Sequence, residues 1–251
     1  MLFFGKTDVG KRRAVNQDNF MIKKYSVDVV AALVCDGMGG ANGGNIASSV
    51  AIGAFYKKLD ETEKLHPDFF GLNEDGILNA LSDAVYAANS AVYNMSLEDP
   101  SLSGMGTTLV GCVVCAEKAY IVNVGDSRLY SVSGDRITQI THDHSYVQYL
   151  VDLGKMTPEE AKVSKNKNLI TRAVGTEKTV VVDVFTASAR QGTAFVICSD
   201  GLSNLVEPQE IKTAVNKIKD HADIEDAAAS LINLANDRGG IDNITAVILS
   251  I

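Results

Sequence analysis

Residues 109–141 read LVGCVVCAEKAYIVNVGDSRLYSVSGDRITQIT, and this stretch decides the fold. It contains short runs rich in β-branched and aromatic residues, at Leu109–Cys115, Ala119–Val124, Leu129–Val132 and Arg136–Thr141. The runs follow one another too closely for the helical crossover that a parallel connection needs. They therefore predict an antiparallel meander, in which Ser133–Asp135 makes a tight turn between the last two strands.

Further strands and helices are predicted on both sides of this stretch. The other strand signals lie at Val27–Val34, Val180–Phe185, Ala194–Cys198 and Ile244–Leu249. Helical periodicity marks Ile46–Leu59, Ile77–Met95, about 208–218 and 224–235. Several strands are apolar at nearly every position, so both faces of each sheet are expected to be covered. The pattern predicts an α+β fold, a four-layer sandwich of two stacked antiparallel β-sheets flanked by helix pairs.

Length and composition favour one globular domain. The chain has 251 residues, of which 46% are hydrophobic and 22% charged, as in an ordinary soluble protein. It contains no tandem repeat, low-complexity tract or Pro/Gly/Ser linker, so we expect a single domain over residues 1–251. Residues from about 142 to 178 carry charges and few strand signals, and we predict that they form a small flap subdomain over one end of the sheets.

The charge balance narrows the classes of partner. Lys and Arg number 23 against 31 Asp and Glu, which gives a formal net charge of −8. Such a surface repels phosphate backbones and anionic lipids, so neither nucleic acid nor a membrane is an expected partner. No apolar run approaches the roughly 18 residues that a membrane span needs. The apolar stretch at the N-terminus is too short for a signal peptide. We therefore expect a cytoplasmic monomer.

Aspartates recur at the ends of apolar runs, often beside a glycine that allows close backbone approach. They are Asp18, Asp36, Asp126, Asp200 and Asp242. A single Asp-Gly pair is an ordinary turn signal, but the repetition favours strand ends that converge on one cleft. Carboxylates that lie so near to one another raise one another's pKa unless cations neutralise their charge. An all-oxygen ligand set favours Mg²⁺ or Mn²⁺, and two such ions would activate water at neutral pH.

Short motifs follow one another in order over almost the whole chain. They are Thr7–Gly10 with Arg13-x-x-Asn16-Gln17-Asp18, Asp36–Gly40, Gly104–Thr108, Gly125–Arg128, Asp143–Ser145, Leu169–Gly175, Ser199–Leu202 and Asp242–Thr245. Each motif is weak alone, but the ordered set is specific. The chain resembles the protein phosphatase 2C family of metal-dependent Ser/Thr phosphatases, in particular its compact bacterial branch.

The resemblance implies a β-sandwich flanked by helices, with a metal cluster at one end. By position, Asp36 would bridge two Mn²⁺ or Mg²⁺ ions, and the carbonyl of Gly37 would bind the second. Asp200 and Asp242 would complete the shell of the first ion, while Asp18 would act through metal-bound water. A third, weaker ion would take Asp126 together with Asp200.

The resemblance also implies how the reaction proceeds. Arg13 matches the arginine that grips the substrate phosphate, and its planar fork suits a phosphate dianion. The nucleophile would be a bridging metal-bound hydroxide, so no side chain is expected to act as a catalytic nucleophile. Eukaryotic members carry a His, the usual candidate general acid, where this chain has Met38. Met cannot donate a proton, so no residue is assigned as the general acid.

The function implied is hydrolysis of phosphoserine and phosphothreonine in proteins. The expected partners are phosphorylated proteins, among them a bacterial Ser/Thr kinase and its substrates, which the enzyme would oppose. The alternative is a catalytically silent relative that regulates a partner by binding phosphoproteins; the retained carboxylates and Arg13 argue against it. Positive charges in the flap, at Lys162, Lys165, Lys167 and Arg172, would dock acidic phosphopeptides or form an ordinary solvated loop. The four histidines, including His144 beside the flap, are expected to be bystanders.

Overall fold

Antiparallel strands form two sheets in the computed structural model, which describes residues 1–66, 69–71 and 73–251, with the backbone alone at 40–42. Sheet A has the strand order β1 (Leu2–Asp8), β11 (Ile244–Ser250), β10 (Thr193–Cys198), β7 (Arg128–Ser133), β8 (Arg136–Gln139). Sheet B has the order β2 (Asp18–Lys24), β3 (Val29–Met38), β5 (Leu109–Cys115), β6 (Lys118–Val124), β9 (Asp183–Ser188). The short β4 (Gly106–Thr107) pairs with the end of β3.

Helices lie outside both sheets and at one end. They are α1 (Gly40–Leu65), α2 (Glu74–Glu98), α3 (Tyr146–Asp152), α4 (Pro158–Val163), α5 (Asp200–Ser203), α6 (Pro208–Val215) and α7 (His221–Asp237), with 3₁₀ turns at Phe69–Gly71 and Pro100–Leu102. Among the described residues, no helix is both long and apolar enough to cross a membrane.

Separate apolar cores hold the layers together. Alternation along β3 explains the arrangement, because Leu33 faces the core beneath α1 and α2 while Val34 faces the core between the sheets. On β10, Ile197 belongs to the core between the sheets, whereas Val196 packs towards α6 and α7. Each strand is therefore apolar at consecutive positions because both of its faces are buried. The predicted four-layer α+β sandwich is confirmed.

The predicted antiparallel meander over residues 109–141 is wrong at its centre. β5 pairs with β6 in sheet B, and β7 pairs with β8 in sheet A, but β6 and β7 are not neighbours. The chain crosses between the sheets at Gly125–Ser127. A hairpin turn and a sheet crossing have the same length and polarity here, so local sequence does not distinguish them. Gly134, with φ of 56°, forms the predicted turn between β7 and β8.

Two other strand assignments differ from the sequence expectation. The predicted strand Val180–Phe185 begins later, as β9 at Asp183. Val180 and Val182 instead pack against the core beneath α1 and α2, so their apolar character reflects helix contact and not pairing. β1 was not predicted, although it pairs along its whole length with β11.

The region predicted as a flap, residues 142–178, contains α3 and α4 and no strand of either sheet over its described residues. α4 begins as its sequence indicates, because Thr157 Oγ1 accepts from the Glu160 amide at 3.2 Å and Glu160 Oε2 accepts from the Thr157 amide at 2.8 Å. The segment returns to sheet B through an isolated bridge between Val174 and Thr107. Its identity as a subdomain stays a prediction.

Gly125→Ala tests the sheet crossing. Gly125 has φ of 114°, and a Cβ there would lie 2.6 Å from Thr108 Cγ2, so we expect a loss of about 2–4 kcal/mol in the free energy of unfolding. Gly134→Ala is the matched control, because its φ is also positive but the space is open, and it should cost about 1 kcal/mol. Urea unfolding of the metal-free proteins measures both, and equal losses would contradict the crossing as described.

Candidate metal centre

The register of β2 and β3 places two of the predicted site residues side by side. Asp18 lies directly opposite Asp36 in this antiparallel pair, so both side chains project from the same face of sheet B. The backbone of Asp36 is fixed by Thr108, whose Oγ1 accepts from the Asp36 amide at 3.0 Å and whose amide donates to the Asp36 carbonyl at 2.8 Å. Position along two strands thus brings together carboxylates that are distant in sequence.

The remaining aspartates arrive from the same end of the sandwich. Asp200 follows β10 and begins α5, Asp242 precedes β11, and Asp126 lies in the crossing after β6. A cavity of about 400 Å³ lies among these strand ends. It is lined by Arg13, Gln17, Asp36, Gly37, Met38, Gly39, Thr108, Asp126, Asn168, Ile170, Asp200, Asp242 and Asn243. Asp18 is buried beside this cavity and interacts electrostatically with Asp36, Asp200 and Asp242.

Burial and mutual repulsion raise the pKa of several of these carboxyls. Burial, followed by the charges of Asp200 and Asp242, raises the pKa of Asp18 to about 7 against the opposing hydrogen bonds from Thr245 and Ser199. Burial, followed by the charge of Asp200, raises the pKa of Asp126 to about 8. Burial and the charge of Asp18 raise the pKa of Asp36 well above its usual range. Such values mark a site where negative charge lacks compensation.

Two carboxylate oxygens in this cluster are buried without a hydrogen-bond partner among the described residues, Asp18 Oδ1 and Asp200 Oδ1. The other oxygen of Asp18 accepts from Ser199 Oγ and Thr245 Oγ1, each at 2.7 Å, so the hydroxyls fix the carboxylate and leave one oxygen free. A buried polar atom without a partner is costly and calls for a missing ligand. Oxygen-only donors fit a hard divalent cation such as Mg²⁺ or Mn²⁺.

The carboxyl groups of the cluster lie around the cavity and do not meet at a single position. Over the described residues, no three His, Cys, Asp or Glu side chains converge as a ready-made ligand set. Asp36 and Asp200 nevertheless interact directly, and such a pair needs a proton or a cation between its oxygens. Gly37 also lines the cavity, and it packs so tightly on the start of α1 that a Cβ would collide with the Gly44 carbonyl. Only glycine fits that position.

Arg13 lies at the rim of the cavity and is half exposed. Its Nη2 donates to Asp242 Oδ2 at 2.8 Å, so the predicted phosphate ligand and a predicted metal ligand contact each other directly. The loop that carries Arg13 is held by Asn243, whose Nδ2 donates to the carbonyls of Val9 at 2.9 Å and Val15 at 3.1 Å. This loop therefore has a fixed path over the cavity.

Sequence reasoning assigned no role to several residues that the structure brings to the site. Ser199 and Thr245 orient Asp18, and Thr108 holds Asp36. All three lie inside the quoted motifs as polar positions at the ends of apolar runs, which is the signal that could have indicated them. Asn168 and Ile170 of the predicted flap also line the cavity; Ile170 lies inside the motif Leu169–Gly175, whereas no quoted motif includes Asn168.

His144 was expected to be a bystander, but it connects three segments beside the site. Its Nδ1 accepts from the Gly125 amide at 3.0 Å, and its Nε2 contacts Asp183 Oδ2 at 3.1 Å and Arg172 Nη1 at 3.0 Å. Arg172 Nη1 donates to Asp183 Oδ1 at 2.7 Å. Burial, partly opposed by Asp183, lowers the pKa of His144 and favours the neutral ring. The residue before Asp126 is therefore tied to the predicted flap and to β9.

The predicted positive charges of the flap are partly neutralised within the protein. Lys162 Nζ lies 3.2 Å from Glu207 Oε2, and Arg172 is paired with Asp183. Lys165 is exposed, as the solvated-loop interpretation also expects, whereas Lys167 is partly buried and its positive charge opposes the rise in the pKa of Asp200. Docking of acidic phosphopeptides by this segment stays a prediction.

Known proteins share both the sequence and the architecture. The model of the protein phosphatase 2C family matches residues 9–242. The serine/threonine phosphatase stp of Listeria innocua is 33% identical over 247 residues, which cover 97% of this chain and 93% of that protein.

Solved structures agree with this match. Stp1 from Staphylococcus aureus superimposes with a TM-score of 0.88 at 33% identity, covering 100% of this chain and 95% of that one. The catalytic domain of the phosphatase PstP, solved in complex with two manganese ions, has a TM-score of 0.80 at 34% identity, with coverage of 98% and 96%. On the extent of the family match and the shared fold, this chain belongs to the protein phosphatase 2C family.

Proposed function

We propose that this protein removes phosphate from phosphoserine and phosphothreonine in proteins, in a reaction that requires Mn²⁺ or Mg²⁺. The observation that carries the proposal is the group of buried and partly buried carboxylates around one cavity, where buried oxygens of Asp18 and Asp200 have no partner among the described residues. Its relatives are named as serine/threonine phosphatases, and the PstP structure holds two manganese ions.

The residues proposed to hold the metals are those with oxygens on the cavity. Asp36 would serve both ions, the Gly37 carbonyl would bind the second, and Asp200 and Asp242 would complete the shell of the first. Asp18, buried beside the cavity, would contribute the oxygen that does not accept from Ser199 or Thr245. Asp126, beside Asp200, would serve a third and weaker ion. The bound ions would supply Lewis acidity and activated water for attack at phosphorus.

The chain itself contributes binding and orientation. The guanidinium of Arg13 offers a bidentate fork at the rim, and a phosphate dianion would compete with its present partner, Asp242. Since Asn243 holds the loop of Arg13, this cation would meet the phosphate with little further ordering. Met38, on the cavity wall, can exclude water but cannot donate a proton to the leaving group.

The physiological partners proposed are phosphorylated proteins, including a Ser/Thr kinase and its substrates. Measuring metal-dependent hydrolysis distinguishes an active enzyme from a silent relative that only binds phosphoproteins. The wild-type protein should release p-nitrophenol from p-nitrophenyl phosphate only when Mn²⁺ or Mg²⁺ is supplied, and it should release phosphate from phosphoserine peptides under the same conditions. Binding of phosphopeptides without hydrolysis would favour the silent relative.

Asp36→Asn tests the proposed ligand set. Loss of partners that merely orient metal ligands costs 10–100-fold, so removal of a ligand should lower Mn²⁺-dependent p-nitrophenyl phosphate hydrolysis by more than about a hundredfold. Without metal, the variant should melt no lower than wild type, because one source of buried repulsion is gone. Asp226→Asn, exposed on α7, is the control and should retain activity. Near-normal turnover by Asp36→Asn would contradict the assignment.

The raised pKa of Asp18 predicts an unusual pH dependence of the metal-free protein. The folded protein holds the Asp18 proton more tightly than the unfolded chain, because the folded pKa of about 7 exceeds the ordinary value of 3.8. The resulting contribution to the free energy of unfolding is fully present below about pH 4. This contribution is lost as the pH rises towards 7. Asp18→Asn removes the titration, so its free energy of unfolding relative to wild type should rise by about 2–4 kcal/mol between pH 4 and pH 7.

Urea unfolding in EDTA of the two proteins measures that difference. Titrations of groups away from the cluster cancel, whereas Asp36 also titrates differently in the variant because the charge of Asp18 is gone. Saturating Mn²⁺ should stabilise wild type more at pH 7 than at pH 5, since metal binding needs the ionised carboxylates. A difference between the metal-free proteins that does not change with pH would contradict the repulsion described here.

A further inference from the structure

A second cavity adjoins the candidate metal centre and shares part of its wall. It has a volume of about 410 Å³ and is lined by Met38 and Ile170, which also line the first cavity. Val180 and Val181, just before β9, add further apolar surface to its wall. A peptide whose phosphate enters the first cavity can therefore reach the second with a neighbouring side chain.

The far wall of this cleft is built onto a rigid helix. Asn89, buried on α2, accepts from the Gly175 amide at 2.7 Å and donates to the carbonyls of Glu177 at 3.0 Å and Lys178 at 3.2 Å. Gly175 packs so closely on Val92 that a Cβ would collide with it. The cleft thus exists before any ligand enters, which lowers the entropic cost of binding there.

One uncompensated charge lines this cleft. Within the described ranges, the carboxylate of Glu177 has neither an ion pair nor a hydrogen bond. Arg172 also lines the cleft, but its guanidinium is paired with Asp183 at 2.7 Å. The neighbouring Lys178 lines a different cavity, beside Tyr86 and Ser90. The cleft therefore combines apolar surface, including Val180 and Val181, with one carboxylate that has no partner among the described residues.

We propose that this cleft binds the side chain of a lysine or arginine that lies within two residues of the phosphoserine or phosphothreonine of the substrate, and that Glu177 selects it. The inference rests on the proposed function and adds a preference among phosphoproteins. A long cationic side chain fits because its aliphatic stem packs on apolar surface while its charged end reaches a carboxylate. An extended peptide advances about 3.3 Å per residue, so only near neighbours of the phosphorylated residue can reach the cleft.

The test is a set of phosphoserine peptides in a neutral background, each with Lys, Gln or Glu at position −2, −1, +1 or +2. At one of these positions the wild-type enzyme with Mn²⁺ should show a kcat/KM roughly two- to fivefold higher for Lys than for Gln, the range of an exposed ion pair. Glu177→Gln should bring that ratio to about one, and Glu177→Lys should invert it in favour of Glu. Glu225→Gln, an exposed carboxylate on α7, is the matched control and should keep the wild-type ratio.

Two results would overturn the proposal while leaving the phosphatase activity intact. One is a ratio near one at all four positions. The other is a Lys preference of equal size at every position that Glu177→Gln retains, which would reflect only the net charge of −8. Failure of the wild-type protein to hydrolyse both p-nitrophenyl phosphate and every peptide would instead refute the proposed function, and the assignment of the cleft would fall with it.

Discussion

Repulsion among buried carboxylates is the constraint on which the site depends. Burial and neighbouring negative charge raise the pKa of Asp18, Asp36, Asp126 and Asp200 together, so in the absence of a cation the fold opposes their ionisation. Protons and divalent ions are the two ways to relieve that cost. The site is therefore strained without metal and suited to it, and the same arrangement links metal binding, pH and stability.

The scaffold tolerates this repulsion because its layers are strongly apolar elsewhere. Leu33 and Val34 bury opposite faces of one strand, and the next polar position along that strand, Asp36, lies at its end. Hydroxyls from Ser199 and Thr245 hold one oxygen of Asp18. Such bonds to a charged group are worth more than bonds between neutral groups. Packing thus positions the acids, while a small polar shell decides which of their oxygens face the cavity.

The sequence predicted the layers and the convergence of acids better than it predicted connections. Consecutive apolar residues such as Val110 to Val114 require two buried faces, and that constraint is local and readable. The crossing at Gly125–Ser127 depends on which sheet the next strand joins. That choice is set by tertiary contacts with residues distant in sequence, which the residues of a short turn do not encode. His144 escaped notice for the same reason, because its partner Asp183 lies 39 residues away.

That long-range connection also joins the two clefts mechanically. Gly125 is held on its amide by the His144 ring and on its carbonyl by the His144 amide at 2.9 Å, and the next residue is Asp126. Thr171, one residue before Arg172, donates through its amide to the His144 carbonyl at 2.8 Å. The segment that walls the second cleft and the loop that carries Asp126, a carboxylate proposed to bind metal, therefore share one anchor.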